Sequence, residues 1–153
     1  MLPINAVLFE QAFRLTLDLP PALPGSTAPV PRIDEHTQRL VVALPVVRLT
    51  VPHVPSLALL LLYALRLEAD LVRLAHILLP APVVGEFPGL PAMLALLSLR
   101  GEPELDAIFR LNQGMRNNSL VLVPVVEELN TVISNAWNVA AEARRAHLRG
   151  ARQ

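Results

Sequence analysis

Residues 56–79 read SLALLLLYALRLEADLVRLAHILL and form the densest apolar stretch of the chain. The first half is almost entirely leucine, whereas the second half carries five charged or titratable side chains: Arg66, Glu68, Asp70, Arg73 and His76. These side chains exclude a bilayer-spanning segment, because a charge at the centre of such a helix costs about 2.5–3.5 kcal/mol. Ser56 stands where a helix N-cap belongs, and Pro80 and Pro82 follow Leu79. The pattern predicts one long helix over 56–79, buried on most of its surface.

The two halves of this predicted helix differ in polarity. Arg66, Asp70 and Arg73 follow i, i+4, i+7 spacing and define a solvated face, and Leu59 and Tyr63 continue that line into the first half. The first half lacks a polar face, so either the core of one subunit or a second subunit must cover it. We favour the second subunit. The candidate interface residues are Leu57, Leu59, Leu60, Leu61, Leu62 and Tyr63 of this helix and Trp137 of the last helix.

Composition also favours association with other proteins. The 153 residues fit a single domain, 1–153, and are 53% hydrophobic and 17% charged, with a mean hydropathy of +0.47. Apolar content in soluble domains runs at roughly 45–50%. Because the excess does not fit into one small core, some of it should lie on the surface, where apolar patches mark protein contacts. We therefore expect a homo-oligomer that also binds other proteins.

Charge and cysteine content restrict the partners and the compartment. Thirteen arginines balance thirteen acidic residues and lysine is absent, so no net field attracts nucleic acid. The chain has no cysteine, which excludes disulfides and thiol nucleophiles. The first residues lack a basic start and include Glu10, unlike a signal peptide. We expect a protein that is cytoplasmic or assembled in the cytoplasm, including as part of a virion, with no transmembrane segment.

Before residue 56 the sequence predicts extended structure. AFRLTLDL at 12–19 alternates apolar and polar residues like a half-buried strand. RLVVALPVVRLTV at 39–51 predicts one long strand broken at Pro45, or two short strands. Between them, 20–32 form a proline-rich loop or arm, because prolines disfavour both helix and interior strand. The candidate arm contacts are Pro20, Pro21, Pro24, Pro29 and Pro31.

After residue 79 the sequence predicts a short helix, a hairpin and a long helix. Pro91 and Gly101 bracket the short helix, 91–100. DAIFRL at 106–111 and SLVLV at 119–123 are predicted strands joined by the turn-forming NQGMRNN. The last helix, 124–149, has an apolar seam at Val126, Leu129, Ile133, Ala136, Ala140 and Ala143, and a frayed basic tail follows at 150–153. Together these elements predict an α+β fold, in which two long helices and one short helix pack on one face of an antiparallel sheet of four to five strands.

No motif predicts catalysis or metal binding. Asp34, Glu35 and His36 are the one tight cluster of titratable side chains, but consecutive loop residues point in different directions, so a solvated loop is favoured. His53, His76 and His147 are not paired with a nucleophile in any motif and suit capping or surface positions. Four arginines at 144–152 favour the negative end of the last helix. We therefore predict no catalytic residue, no cofactor site and no metal site.

These observations favour a non-enzymatic, homo-oligomeric structural or adaptor protein within a larger assembly, such as a phage particle or a secretion apparatus. The predicted order of strands, helix, hairpin and helix over residues 38–149 is similar to that of type III secretion chaperones. That resemblance implies a small dimeric module that holds an extended partner. An enzyme, whose pocket would be built from residues distant in sequence, is the third alternative.

Overall fold

The chain folds mainly into helices. A computed structural model of the protein describes residues 5–17, 31–42, 44 and 46–150. These residues form α1 (Ala6–Ala12), β1 (Arg32–Ile33), β2 (Leu40–Val41), α2 (Val54–Ala64), α3 (Leu71–Leu78), α4 (Ala81–Gly85), α5 (Leu90–Ser98), α6 (Glu102–Leu122) and α7 (Glu127–Gly150). None of the described helices is both long enough and apolar enough to cross a membrane.

The predicted α+β fold is wrong. In place of a sheet of four to five strands with helices on one face, the described residues contain seven helices and one two-stranded sheet. Helix packs on helix: α7 contacts α6, α5 and α3, and α6 also contacts α2. The long helices that the sequence predicted to lie on a sheet thus pack against other helices.

The described residues divide into two compact units. One contains all seven helices, in residues 5–15 and 51–150, and the other lies within residues 16–50 and contains the two short strands. In the second unit β1 pairs antiparallel with β2, with Ile33 opposite Leu40. Among the described residues of the predicted strand at 39–51, Leu40 and Val41 alone form a strand, β2, and Ala43 and Pro45 lie outside the described residues. That all 153 residues form a single domain stays a prediction.

The predicted strand at 12–19 is also replaced. Its first residue ends α1, which Asn5 caps by accepting hydrogen bonds from the N–H groups of Val7 and Leu8. Phe13 makes an isolated bridge to Pro124, and residues 18 and 19 lie outside the described residues. The ring centroids of Phe9 and Phe13 are 4.7 Å apart. The two residues have the i, i+4 spacing of a helix, whereas the alternation of apolar and polar residues over 12–19 had favoured a strand.

The single helix predicted over 56–79 is two helices, α2 and α3. Arg66 adopts a left-handed backbone with φ of 56° and ends α2. The N–H of Leu67 donates to the carbonyl of Leu62 (3.0 Å), and the N–H of Arg66 to that of Tyr63 (3.1 Å), which is the Schellman pattern of a helix end. Asp70 then caps α3 by accepting from the N–H groups of Val72 and Arg73 (3.0 and 3.1 Å). The charged residues between 66 and 70 therefore connect two helices.

The predicted hairpin at 106–123 does not form, because residues 106–122 lie in α6, a helix of 21 residues, and Val123 is its C-cap. Its buried residues recur at helical spacing, but several are ones that sequence rules assign to turns. The buried residues are Leu105, Asn112, Gly114, Met115, Asn118 and Leu122. Asn112 and Asn118 lie in the interior because neighbouring segments supply hydrogen-bond partners for them.

The final helix agrees with its sequence pattern. Leu129, Ile133, Ala136, Ala140 and Ala143 are buried as the predicted seam requires, whereas Val126 precedes α7 and is half-buried. The predicted short helix corresponds to α5, within two residues at each end. The predicted tail at 150–153 lies outside the described residues except for Gly150.

Candidate functional site

An apolar groove of about 590 Å³ lies in the helical unit. The helix α3 and its C-cap contribute Leu71, Val72, Ala75 and Leu79 to its lining. The helices α4 and α5 and their connection contribute Val84, Phe87, Pro88, Leu90 and Met93. The helix α7 contributes Val132, Asn135, Ala136, Asn138 and Val139. We call this surface the apolar groove.

Large apolar side chains stand exposed at the rim of the apolar groove. Val72 is 64% exposed and Phe87 is 62% exposed. Leu79, Met93 and Val139 are buried at its base. Because exposed apolar area is unfavourable in water by about 25 cal/mol per Å², a partner that covers the rim would be stabilised.

The polar groups of the apolar groove are two side-chain amides. None of its lining residues is charged, and Asn135 and Asn138 provide the carboxamides. Both asparagines are exposed and lie three residues apart on α7, which puts them on the same side of the helix. The surface can therefore offer hydrogen-bond donors and acceptors to an apolar partner without introducing a charge.

A buried polar cluster joins the start of α2 to α6. The amide of Asn118 accepts from the N–H of His53 (3.0 Å) and donates to its carbonyl (2.7 Å) and to Oγ of Ser56 (3.1 Å). Oγ of Ser56 is also 2.8 Å from Nδ1 of His53. Gly114 faces the His53 ring so closely that a Cβ would overlap it. Since Ser56 is fully buried, the Ser56 and His53 pair is structural and not a nucleophile exposed to substrate.

Other asparagines of α6 and α7 also bind backbone carbonyls. Nδ2 of Asn112 donates to the carbonyls of Leu78 (2.7 Å) and Ile108 (2.9 Å), while its Oδ1 is buried without a protein partner. Nδ2 of Asn130 donates to the carbonyl of Pro124 (2.9 Å). Asparagine side chains thus hold backbone segments at several points of this unit.

The predicted interface residues of α2 fall into two groups. Leu60, Leu61 and Tyr63 are buried within the helical unit. Leu57 and Leu59 are half-buried, and Leu62 is 38% exposed. Tyr63 therefore does not belong to the solvated face that the sequence suggested. Burial raises the pKa of Tyr63, and the nearby Glu68 carboxylate raises it further.

Trp137, the seventh predicted interface residue, packs within the same chain. Its ring centroid lies 5.1 Å from that of Phe109, and the guanidinium of Arg116 lies 6.0 Å from the Trp137 ring. Arg144 covers Phe109 at 4.2 Å and pairs with Asp106 at 3.1 Å. The half-buried Trp137 thus belongs to a row of aromatic and charged side chains that joins α6 to α7.

The residues that the sequence considered for chemistry are not brought together. Asp34 forms a turn by accepting from the Thr37 hydroxyl (2.8 Å) and the His36 N–H (3.1 Å), and these bonds lower the pKa of its carboxyl. His76 lies in the last turn of α3, and His147 in that of α7. Within the described ranges, no group of three or more histidine or acidic side chains could hold a metal ion.

The predicted arm contacts lie mostly beyond the described part of the chain. Pro20, Pro21, Pro24 and Pro29 fall outside it, and Pro31 is exposed. The apolar groove itself was missed, because residues 80–91 carry four prolines and two glycines and were interpreted as an irregular connection. The four prolines among apolar residues could have indicated short helices here, because proline is favoured in the first turn of a helix, as in α4 and α5.

Comparison of the chain with protein-family models, with curated proteins and with solved structures finds no match in any of the three.

Proposed function

We propose that this protein is a non-enzymatic, homo-oligomeric structural or adaptor protein, and that the apolar groove is a surface through which it contacts other chains. The observation that carries the proposal is the apolar groove with Val72 and Phe87 exposed at its rim. The high apolar content of the sequence supports it as well. A role within a phage particle or a secretion apparatus, assembled in the cytoplasm, is part of the same proposal.

The resemblance to type III secretion chaperones, which suggested the chaperone-like alternative, does not hold in the structure. That resemblance required a hairpin between two long helices, and the segment concerned lies within α6. A module that holds an extended client remains compatible with the apolar groove, but it no longer has support from topology.

Sedimentation velocity of the purified protein at micromolar concentration tests the proposal. We expect the wild type to sediment as an oligomer, and Val72→Gln combined with Phe87→Gln to shift it towards monomer. Leu120→Gln is the matched control, because Leu120 is 63% exposed on α6 and lies outside the apolar groove. Glutamine keeps helix propensity high and adds no charge.

Two results would contradict the proposal. One is a wild type that stays monomeric at every concentration tested. The other is equal dissociation by the groove variant and by Leu120→Gln, because general loss of surface hydrophobicity would then explain the effect. Circular dichroism of each variant shows whether the helices remain folded.

A further inference from the structure

We propose that the free edge of β2 pairs antiparallel with the same edge of a second copy of this chain. Large apolar side chains stand exposed at every second position along this segment, each with between 46% and 71% of its surface accessible: Leu40, Val42, Leu44 and Val46. We call these four side chains the apolar row. They belong to the unit of residues 16–50, so the inference goes beyond the proposed function, which rests on the apolar groove.

Within the described residues, β2 is paired by β1 on one side. The N–H of Asp34 donates to the carbonyl of Arg39 (2.9 Å), and Arg32 lies opposite Val41. In an antiparallel ladder, residues that bond one neighbouring strand alternate with residues whose N–H and C=O groups point the other way. Leu40 therefore turns its backbone groups away from β1.

The alternation that begins in β2 recurs further along the chain. Val46, Arg48 and Thr50 are exposed like Leu40, whereas Val47 and Leu49 are half-buried. A period of two is that of an extended strand. Among the described residues of 42–51, no N–H or C=O group forms a backbone hydrogen bond with another described residue.

These free backbone groups require a strand as partner. A helix pairs its own N–H and C=O groups internally, whereas an extended chain has them available. A two-stranded hairpin is at best marginally stable in water, and three or more strands are needed for a stable sheet. An added strand would therefore stabilise the short sheet of β1 and β2.

The symmetry of the apolar row identifies a second copy as that strand. Polar residues, Gln38 and Arg48, bound the row at equal distances from its centre. Antiparallel pairing about a two-fold axis sets Leu40 opposite Val46 of the second copy, and sets the two middle residues of the row opposite each other. Each apolar side chain then has an apolar neighbour across the strands, and each pair exchanges two backbone hydrogen bonds.

Charge complementarity supports the same register. It sets Arg48 of the second copy opposite Gln38, whose side-chain amide donates to the carbonyl of Glu35 (3.0 Å). Glu35 and Arg48 are both exposed, and neither forms an ion pair with another described residue. A register shifted by two residues would instead set Arg48 against Leu40, or Gln38 against Val46.

Prolines are compatible with this pairing and limit it to two copies. The pairing uses the N–H groups of even-numbered residues, so the N–H that Pro45 lacks is not required. The outer strand, β1, has two residues and follows the exposed Pro31. Short strands and prolines keep sheet edges from pairing further. The inferred assembly is therefore a closed dimer with a four-stranded sheet.

Disulfide crosslinking of the full-length protein tests this inference. The chain contains no cysteine, so a crosslink can come only from introduced residues. In the inferred dimer, Leu40→Cys of one copy faces Val46→Cys of the other with Cα atoms about 5.5 Å apart, within disulfide range. Within one copy the same positions are roughly 20 Å apart in an extended chain and cannot form a bridge.

We expect the double-cysteine protein to form covalent dimers in a glutathione redox buffer at micromolar concentration, as seen on a non-reducing gel. The matched control is Leu40→Cys alone, because the two copies of this position are also roughly 20 Å apart in the inferred dimer. The double-cysteine protein should crosslink at least tenfold faster than this control. Equal rates would reflect random collision and would overturn the inference.

A charge swap tests the register. In the double-cysteine background, Glu35→Arg and Arg48→Glu should each slow crosslinking at least threefold, because like charges then face each other. Their combination should restore the rate to within twofold. Arg39→Glu, an exposed arginine at an odd-numbered position, is the control and should leave the rate within twofold. A combined variant as slow as the single variants, or products mainly larger than dimers, would overturn the inference.

Failure of this inference can be told apart from failure of the proposed function. Oligomers that depend on Val72 and Phe87, together with no crosslinking above the control, would leave the proposed function standing and remove this inference. Val72→Gln combined with Phe87→Gln should leave crosslinking within twofold, and crosslinking that requires these two side chains would overturn an interface at β2. Circular dichroism of each variant controls for folding.

Discussion

Asn118 closes two hydrogen bonds on the backbone of His53, which lies 65 residues earlier in the chain. Its Oδ1 accepts the His53 N–H, and its Nδ2 donates to the His53 carbonyl. His53 is the N-cap residue of α2, and its side chain makes no capping bond to the helix. The first turn of α2 is therefore fixed in place by a side chain of α6.

Asn118→Ala should destabilise the helical unit by about 2–4 kcal/mol. The substitution removes three hydrogen bonds to His53 and Ser56 and leaves the part-buried His53 N–H without its partner, at about 1–3 kcal/mol for an unsatisfied group, whereas Ser56 Oγ keeps its contact with Nδ1 of His53. Urea denaturation followed by circular dichroism measures the loss. Asn117→Ala is the control, since Asn117 is exposed on the same helix and should change stability by less than about 0.5 kcal/mol. Equal effects of the two substitutions would show that the Asn118 bonds contribute little.

Gly114→Ala should also destabilise the protein, although alanine is the better helix former. In an exposed helix the change would gain about 1 kcal/mol, but here the added Cβ overlaps the His53 ring. The ring cannot move away freely, because its Nδ1 is held by Ser56. We expect a net loss of about 1–3 kcal/mol, which is typical of overpacking.

A double-mutant cycle isolates this clash. In a His53→Ala background the obstructing ring is absent, so Gly114→Ala should become neutral or stabilising by up to about 1 kcal/mol. A loss that persists without the His53 ring would mean that Gly114 is required for another reason.

The contrast between α7 and α6 shows how far the sequence could predict this fold. The buried positions of α7 are leucine, isoleucine, valine and alanine, so their spacing revealed a helix. In α6 three buried positions hold Asn112, Gly114 and Asn118, which polarity rules assign to a loop. Their burial depends on partners at the start of α2 and at the end of α3, and no local pattern contains that information.

The apolar groove could not be predicted from any single segment. It is formed where α3, α4, α5 and α7 meet, and each contributes only a few residues. The sequence did indicate that more apolar surface exists than one core can bury, but it placed that surface on residues 57–63. Leu60, Leu61 and Tyr63 are buried there instead, while Val72 and Phe87 are exposed.

Arg66→Gly should stabilise the helical unit by up to about 1 kcal/mol. Arg66 occupies the position after the α2 C-cap with φ of 56°, where a side chain is strained and glycine is favoured. Its side chain is exposed, so little packing is lost. Thermal and urea denaturation should both show the gain.

Ala69→Gly provides the matched control for this gain. Ala69 is exposed in the same connection but does not have positive φ, so glycine there should only increase the entropy of the unfolded chain and destabilise the protein. Stabilisation by both substitutions, or by neither, would contradict the assignment of strain to Arg66.

Glu68→Gln should flatten the dependence of stability on pH in the acid range. The N–H groups of Asp70 and Ala69 donate to the Glu68 carboxylate (3.1 and 2.9 Å) and lower its pKa from the ordinary value of 4.5, and Arg73 at 3.0 Å adds to this effect. A lowered folded-state pKa means that the carboxylate stabilises the fold above pH 4.5, and that this contribution is lost as the pH falls through the lower value. The free energy of unfolding of the wild type should therefore drop more between pH 6 and pH 3 than that of Glu68→Gln.

Glu10→Gln, at an exposed position of α1, is the control and should keep the steeper wild-type dependence of stability on pH. If the profile of Glu68→Gln is as steep as that of the wild type, the Glu68 carboxylate does not have this role in the connection between α2 and α3.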